Sequence, residues 1–126
     1  MLNKAELIGR LGADPEIRYT QNETPVAVFS LATNEQWKDQ NGETKERTEW
    51  HRIVAWDKLA KICEDYLNKG KLVYVEGPLR TRSWEDKEGV TRRVTEVVAR
   101  TIKMLDRAGD SGKEDVPPPV EEDIPF

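Results

Sequence analysis

The apolar and polar residues of the chain alternate in a strand-like way over most of the first 105 positions, with one helical interruption. Residues 2–11, 25–37 and 44–56 are rich in apolar and β-branched side chains, and the turn-forming sequences NETP and DQNG separate them. Two further runs, residues 71–84 and 90–104, are joined through EDKEG. The pattern therefore predicts five strands.

A helix is predicted between the third and fourth strands, where the hydrophobic period changes. Asp57 is placed to cap its start and Gly70 to end it. Five apolar residues recur at steps of three and four and would share one helical face: Leu59, Ile62, Cys63, Tyr66 and Leu67. Three strands, a helix and two strands predict an all-β fold with one helix, a five-stranded OB-fold barrel of the oligonucleotide-binding kind.

The composition changes after residue 105. Residues 106–120 are polar, acidic and interrupted by Gly and Pro, which predicts a disordered linker that cannot bury enough apolar surface to fold. The last six residues, EEDIPF, combine acids with an apolar end. We therefore expect a folded domain at 1–105, a flexible linker at 106–120 and a docking tip at 121–126.

The overall charge of -4 conceals an asymmetry between the domain and the tail. Residues 106–126 contain seven acidic and two basic residues, a charge of -5, which leaves +1 for residues 1–105. The acidity belongs to the tail, so it is no argument against a polyanionic partner for the domain.

Tryptophan and arginine share strand faces in two segments of the chain. Because side chains alternate along a strand, TEWHRIVAW places Trp50, Arg52 and Trp56 on one face. PLRTRSW does the same for Arg80, Arg82 and Trp84, and Trp37 lies next to Lys38. Any one of these tryptophans could be an ordinary half-buried strand residue. The repeated pairing instead favours a surface for single-stranded nucleic acid, where bases stack on indoles and cations contact phosphates.

Metal and covalent chemistry have little support in the sequence. One cysteine and one histidine cannot form an internal disulfide or supply the four ligands of a structural zinc site. Cys63 falls on the apolar stripe of the predicted helix and is expected to be a core residue. We therefore expect no enzyme activity, no metal and no cofactor.

The run TEWHRIVAWDKLAKICEDYLNKGKLVYVEGPLRTRSW resembles the bacterial-type single-stranded DNA-binding proteins. NKAELIGRLGADPEIRYT before it, TEVVA after it and EEDIPF at the end strengthen the resemblance. It implies an OB fold that assembles as a homotetramer, binds single-stranded DNA and recruits DNA replication and repair proteins through the C-terminal tip. Two features depart from many relatives: Trp56 stands where Phe is common, and the linker is short.

The resemblance also assigns roles to individual positions. It implies base stacking by Trp37, Trp50, Trp56 and Trp84. It implies phosphate contacts by Lys4, Arg18, Lys45, Arg52, Lys58, Lys69, Arg80 and Arg82. His51 is placed near a subunit contact. The docking tip consists of Glu121, Glu122, Asp123, Ile124, Pro125 and Phe126.

The sequence thus predicts a non-enzymatic, sequence-nonspecific binder of single-stranded DNA, without a membrane segment and located in the cytoplasm with the nucleoid. Two alternatives stay open. The chain could be chiefly an adaptor whose tip recruits partners, or an RNA-binding barrel of the cold-shock or translation-factor type. Quenching of tryptophan emission by oligo-dT separates the first alternative from DNA binding, and competition between DNA and RNA addresses the second.

Overall fold

A computed structural model describes residues 1–106 of the chain. The linker beyond Asp106 and the docking tip therefore lie outside the described residues. Within them the chain forms one helix, α1 (Lys58–Tyr66), and eight strands: β1 (Ala5–Leu11), β2 (Glu16–Tyr19), β3 (Pro25–Lys38), β4 (Thr44–Trp56), β5 (Leu72–Gly77), β6 (Leu79–Glu85), β7 (Thr91–Val98) and β8 (Thr101–Met104). The prediction of a mostly-β fold with one helix is confirmed.

The strands form one curled sheet in the order β6-β7-β4-β3-β1-β5-β8, and β2 pairs with β3. The predicted strand at 71–84 bends at Pro78 and becomes β5 and β6, because proline has no N–H to donate to a ladder. The predicted strand at 90–104 divides likewise: β7 pairs with β4 and β6, whereas β8 pairs with β5. Both bends allow a continuous chain segment to change its neighbours, which curls the sheet.

The sequence pattern did not predict β2. It has four residues, EIRY, and pairs with the first residues of β3 in antiparallel register. Ile17 is its one apolar residue packed against the core, so the segment shows too little alternation to be recognised.

The helix is confirmed and Asp57 is its N-cap residue as predicted, but the predicted end at Gly70 is wrong. The Asp57 side chain makes no capping hydrogen bond; instead its backbone carbonyl accepts the N–H of Lys61 at 3.2 Å. The helix ends at Tyr66, and the N–H of its C-cap residue, Leu67, donates to the Cys63 carbonyl. Gly70 follows in the next turn, with φ of 87°, and its N–H donates to Leu11 of β1 at 2.8 Å. A backbone hydrogen bond thus connects the turn after the helix to β1.

Only part of the predicted apolar stripe of the helix is buried. Of its members, Cys63 and Leu67 pack into the core beside Ala60, whereas Ile62 is 39% exposed and Tyr66 is 60% exposed. The interpretation of Cys63 as a core residue is confirmed. Burial raises the pKa of its thiol to about 12, which keeps it protonated and unreactive at neutral pH.

The core lies on the inner side of the curled sheet. Odd-numbered residues of β3 and β4 point into it, among them Phe29, Leu31 and Ile53. Val73 and Val75 of β5 close it from the other side and have no exposed surface. The even-numbered positions of β3 and β4 must therefore form the outer side of the sheet.

Two glycines allow strands to cross at close range. A Cβ at Gly9 of β1 would overlap the carbonyl oxygen of Ala32 in β3, and one at Gly77 would overlap the carbonyl oxygen of Val98. Any larger residue would push these backbones apart, so the curl of the sheet depends on the absence of a side chain at both crossings.

We expect Gly77→Ala to lower the free energy of unfolding by about 3 kcal/mol, because the new methyl group overlaps backbone that cannot move aside. Gly42→Ala is the matched control. Gly42 has φ of 76° but open space around it, so the substitution should cost about 1 kcal/mol. Urea unfolding monitored by circular dichroism measures both changes. A Gly77→Ala chain as stable as the parent would contradict this account of the crossing.

Candidate nucleic-acid interface

The outer side of the sheet carries an aromatic and cationic surface assembled by strand register. Arg18 of β2 pairs with Val26 of β3, and Val26 pairs with Trp56 of β4. Directly paired residues point to the same side of a sheet, so Arg18 and Trp56 lie on one face with Val26 between them. Trp50 and Arg52 share this face as even-numbered residues of the same strand.

The same face continues across β7 and β6. Val54 pairs with Val98, and Arg80 of β6 pairs with Glu96 of β7. A shallow cleft here is lined by Arg52, Val54, Trp56, Arg80, Arg82, Glu96 and Val98. We call the surface formed by Arg18, Trp50, Arg52, Trp56, Arg80, Arg82 and Trp84 the aromatic-cationic face.

The tryptophans of this face are accessible at their rings. Trp56 is 42% exposed, while Trp50 and Trp84 are half-buried. Val26, Val28 and Val54 form a small buried cluster on this side, separate from the main core. Trp56 therefore lies beside apolar residues, since it pairs with Val26, and all three rings still present surface to solvent, as base stacking requires.

The arginines of the face are held by defined partners. Nε of Arg52 and Nε of Arg82 each lie 3.0 Å from a different oxygen of the Glu96 carboxylate. The Arg82 guanidinium carbon also lies 5.6 Å from the ring centre of Trp84, within cation–π range. Arg18 donates to Glu16 at 2.6 Å, but both side chains are about half exposed, so a phosphate can compete with this ion pair.

Trp37 and Lys45 lie on the opposite side of the β3–β4 hairpin. They are directly paired with each other, and both are odd-numbered residues of an uninterrupted register. Trp37 is 46% exposed, and Lys45 Nζ lies 3.4 Å from a Glu43 carboxylate oxygen and 3.9 Å from one of Asp39. The hairpin thus carries one tryptophan–cation pair on the side away from the aromatic-cationic face.

The remaining predicted phosphate contacts belong to segments outside the strands that carry this face. Lys4 is ion-paired with Glu76 at 3.0 Å and with Glu6 at 3.4 Å, and the hydrogen bond to Glu76 raises the pKa of its ammonium group. Lys58 is the first residue of the helix, and Lys69 follows the helix, where its backbone N–H donates to Asp14. Their roles in phosphate binding stay predictions.

The sequence did not predict two residues that adjoin the aromatic-cationic face, Arg92 and Glu96. Arg92 is paired with Trp84 across β6 and β7, and its Nε lies 2.8 Å from an Asp86 carboxylate oxygen. Applying the even–odd rule to TRRVTEVV, as was done for the neighbouring strand, would have found it. Glu96 gave no comparable signal, because a single acid in an apolar strand does not show which side chains it contacts.

His51 lies on the inner side of β4 and is half-buried. Its Nε2 lies 2.8 Å from the Thr33 hydroxyl oxygen. Burial lowers the pKa of the imidazole below its ordinary value of 6.5, and the nearby Glu49 charge offsets only part of that effect. These contacts agree with a structural histidine, and its place at a subunit contact stays a prediction.

A curled sheet with one helix and an exposed aromatic-cationic face is the architecture of OB-fold proteins that hold single-stranded nucleic acid. Residues 2–105 match the model of the Single-strand binding protein family. The chain belongs to this family, so the resemblance seen in the sequence is confirmed. Proteins of this family bind DNA and are not enzymes, in agreement with the prediction of no enzyme activity.

Relatives of known name cover most of the chain. It is 50% identical to "Single-stranded DNA-binding protein 1" of Xylella fastidiosa over 113 residues, which span 89% of this chain and 83% of the relative. It is 56% identical to the protein of the same name from Chlorobaculum tepidum over 112 residues, or 88% and 68% of the two chains.

Solved structures share the fold. The structure described as the Plasmodium falciparum SSB complex with ssDNA has a TM-score of 0.76 and 42% identity, covering 84% of this chain and 96% of its own. A deletion mutant of the single-stranded DNA binding protein from Thermus aquaticus has a TM-score of 0.74 and 33% identity, over 86% and 52% of the two chains. The predicted OB fold is thereby confirmed.

Residues 1–106 contain neither a membrane-spanning helix nor a metal-binding cluster. No helix in this range is long and apolar enough to cross a membrane. The same range holds no cluster of three or more His, Cys, Asp or Glu side chains placed to hold a metal ion.

The lowered pKa of His51 predicts how the stability of the chain depends on pH. Because folding lowers the His51 pKa, the unfolded chain binds more protons below about pH 6.5, so this residue reduces stability as the pH falls through that value. We expect the parent chain to lose free energy of unfolding relative to His51→Gln between about pH 7 and pH 5. Urea unfolding at fixed protein concentration measures the difference. A difference that does not change with pH would contradict the assigned direction.

Proposed function

We propose that the chain binds single-stranded DNA with little sequence preference and acts in DNA replication, recombination and repair. The observation that carries the proposal is the aromatic-cationic face, which combines three accessible tryptophans with four arginines on one side of the sheet. An indole accepts any base on its ring face, and arginines contact the phosphates that every sequence shares.

The family assignment supports DNA as the ligand. The relatives from Xylella fastidiosa and Chlorobaculum tepidum are named single-stranded DNA-binding proteins, and the Plasmodium falciparum structure contains ssDNA. RNA is the less favoured ligand, because no feature of the described face is specific for a 2′-hydroxyl group. An adaptor without nucleic-acid binding would have no use for exposed indoles among arginines.

We expect Trp56→Ala to weaken binding of an oligo-dT of about eight nucleotides by roughly 5- to 150-fold, the range for losing one stacked base in proteins that include this family. Trp37→Ala is the matched control, because Trp37 lies on the opposite side of the hairpin and should affect only longer oligonucleotides. Quenching of tryptophan emission, or anisotropy of labelled DNA, gives the affinities. Equal losses for both variants on the short oligonucleotide would contradict a path along the aromatic-cationic face.

The proposal extends to assembly as a homotetramer. Strand β1 pairs with β5 from Ala5 to Arg10 but with β3 only at Arg10 and Leu11, so within residues 1–106 one edge of β1 lacks a strand partner along most of its length. Ile8 in this segment is 59% exposed and is paired with Tyr74. An open strand edge beside exposed apolar surface favours pairing with a second copy.

We expect light scattering at micromolar concentration to give the mass of four chains. Ile8→Glu should shift the mass towards smaller species, because it places a charge on the surface that a second copy would cover. Tyr19→Glu, at an exposed aromatic on β2 away from this edge, is the control and should keep the parent mass. A parent chain that runs as a monomer would contradict the assembly.

The proposal also includes recruitment of DNA-processing proteins by the C-terminal tip. These residues lie outside the described part of the chain, so the support comes from their sequence. Ile124, Pro125 and Phe126 place apolar groups after three consecutive acids at the end of an acidic segment. A pocket for the Phe ring, with a basic rim for the carboxylates, is the partner surface that such a peptide fits.

A further inference from the structure

Glu96 is the buried acid within the proposed DNA-binding surface. Among residues 1–106 it is the one buried charged residue, and only 7% of its side chain is exposed. It lines the same cleft as Arg52, Arg80 and Arg82. A carboxylate in this position reduces the attraction of the face for phosphates, so its presence requires a compensating role.

The geometry around Glu96 shows what that role can be. One carboxylate oxygen accepts from Arg52 Nε and the other from Arg82 Nε, both at 3.0 Å. The two arginines come from strands on either side of β7. Without the carboxylate between them, their positive charges would repel each other across the cleft.

The contact extends to a stacking residue. Arg82 lies 5.6 Å from the ring centre of Trp84, so the same guanidinium touches both the carboxylate and an indole. Each Glu96 contact engages one of the five N–H groups of a guanidinium, which is compatible with a second contact to a phosphate. The long arginine side chains would otherwise lose rotamer freedom when DNA binds.

We infer that Glu96 is a positioning residue for DNA binding: it fixes Arg52 and Arg82 in the orientation that meets the phosphates, before DNA arrives. The inference rests on the proposed function and adds to it a residue that does not itself touch the ligand. In the cleft, three arginines and one carboxylate leave a net charge of +2, so the face stays attractive to a polyanion. Glu96 thus orders the arginines and lowers the positive charge of the cleft by one.

The first test replaces the carboxylate with an amide. Glu96→Gln should weaken binding of oligo-dT by about 5- to 30-fold at moderate salt, the effect of having to order two arginine side chains on the DNA. The slope of log affinity against log salt should become shallower by about 0.7 to 1.4, which corresponds to one or two phosphate contacts. If Glu96 were only an unfavourable charge, the same substitution would tighten binding, which would overturn the inference.

Two further variants separate position from charge. Glu85→Gln removes the same charge from an exposed residue on the other side of the β6–β7 hairpin, and it should leave affinity unchanged or slightly improved. Glu96→Asp keeps the charge but withdraws the carboxylate by one methylene, and it should weaken binding as Glu96→Gln does. Parent-like binding by Glu96→Asp would overturn the inference. If Glu96→Gln does not fold, the affinity of Glu96→Asp still tests the inference.

A double-mutant cycle tests whether Glu96 acts through Arg82. On an Arg82→Ala background, Glu96→Gln should cost less than it does in the parent chain, because one of the two arginines that it positions is absent. Strictly additive losses would overturn the assigned role. Far-ultraviolet circular dichroism and thermal unfolding without DNA distinguish variants that are unfolded from variants in which only the arginines are misplaced. A parent chain that does not bind oligo-dT would instead refute the proposed function itself.

Discussion

The continuous register between β3 and β4 determines what each side of the sheet can do. Thirteen consecutive residue pairs, from Val26–Trp56 to Lys38–Thr44, align the two strands without interruption. Side chains therefore alternate strictly, and odd positions such as Phe29 and Ile53 fill the core while even positions face outward. A slip of one residue would bury Trp56 and Arg52 and expose the core, so packing of the interior also orders the proposed binding surface.

The acidic partners of the basic residues determine which cations are available to the surface that the register assembles. The chain is acidic overall, but the cations of the aromatic-cationic face are gathered by β2, β4 and β6. Some cations are engaged elsewhere: Lys4 is paired with Glu6 of β1 and Glu76 of β5. Others are held in place, as Arg52 and Arg82 are by Glu96. The number of basic residues thus says less about polyanion binding than the partners of each one.

The sequence predicted those features that repeat with a short period. The strand runs and the shared face of Trp50, Arg52 and Trp56 are set by alternation within one segment, and the helix is set by apolar residues at steps of three and four. The same rule extended to a second strand placed Arg80, Arg82 and Trp84 correctly. Such features depend on neighbours in sequence, which is why they can be read without the fold.

Features that depend on contacts between distant segments could not be predicted. The position of Trp37 on the other side of the hairpin follows from its register with Lys45, and the pairing of Lys4 follows from its proximity to Glu76. Glu96 was missed because its partners lie 14 and 44 residues away. Asp57 is the N-cap residue, as predicted, but with φ of 58° its side chain makes no capping hydrogen bond, which the sequence does not reveal.

The most direct measurement is photocrosslinking of the intact protein to oligo-dT in which thymine is replaced by 5-bromouracil, followed by mapping of the crosslinked peptides. The account predicts crosslinks to Trp50, Trp56 and Trp84, the rings of the aromatic-cationic face. Tyr66 is an internal reference, because it is 60% exposed on the helix and is not part of that face. Crosslinks that concentrate at Tyr66 and spare the three tryptophans would contradict the central claim.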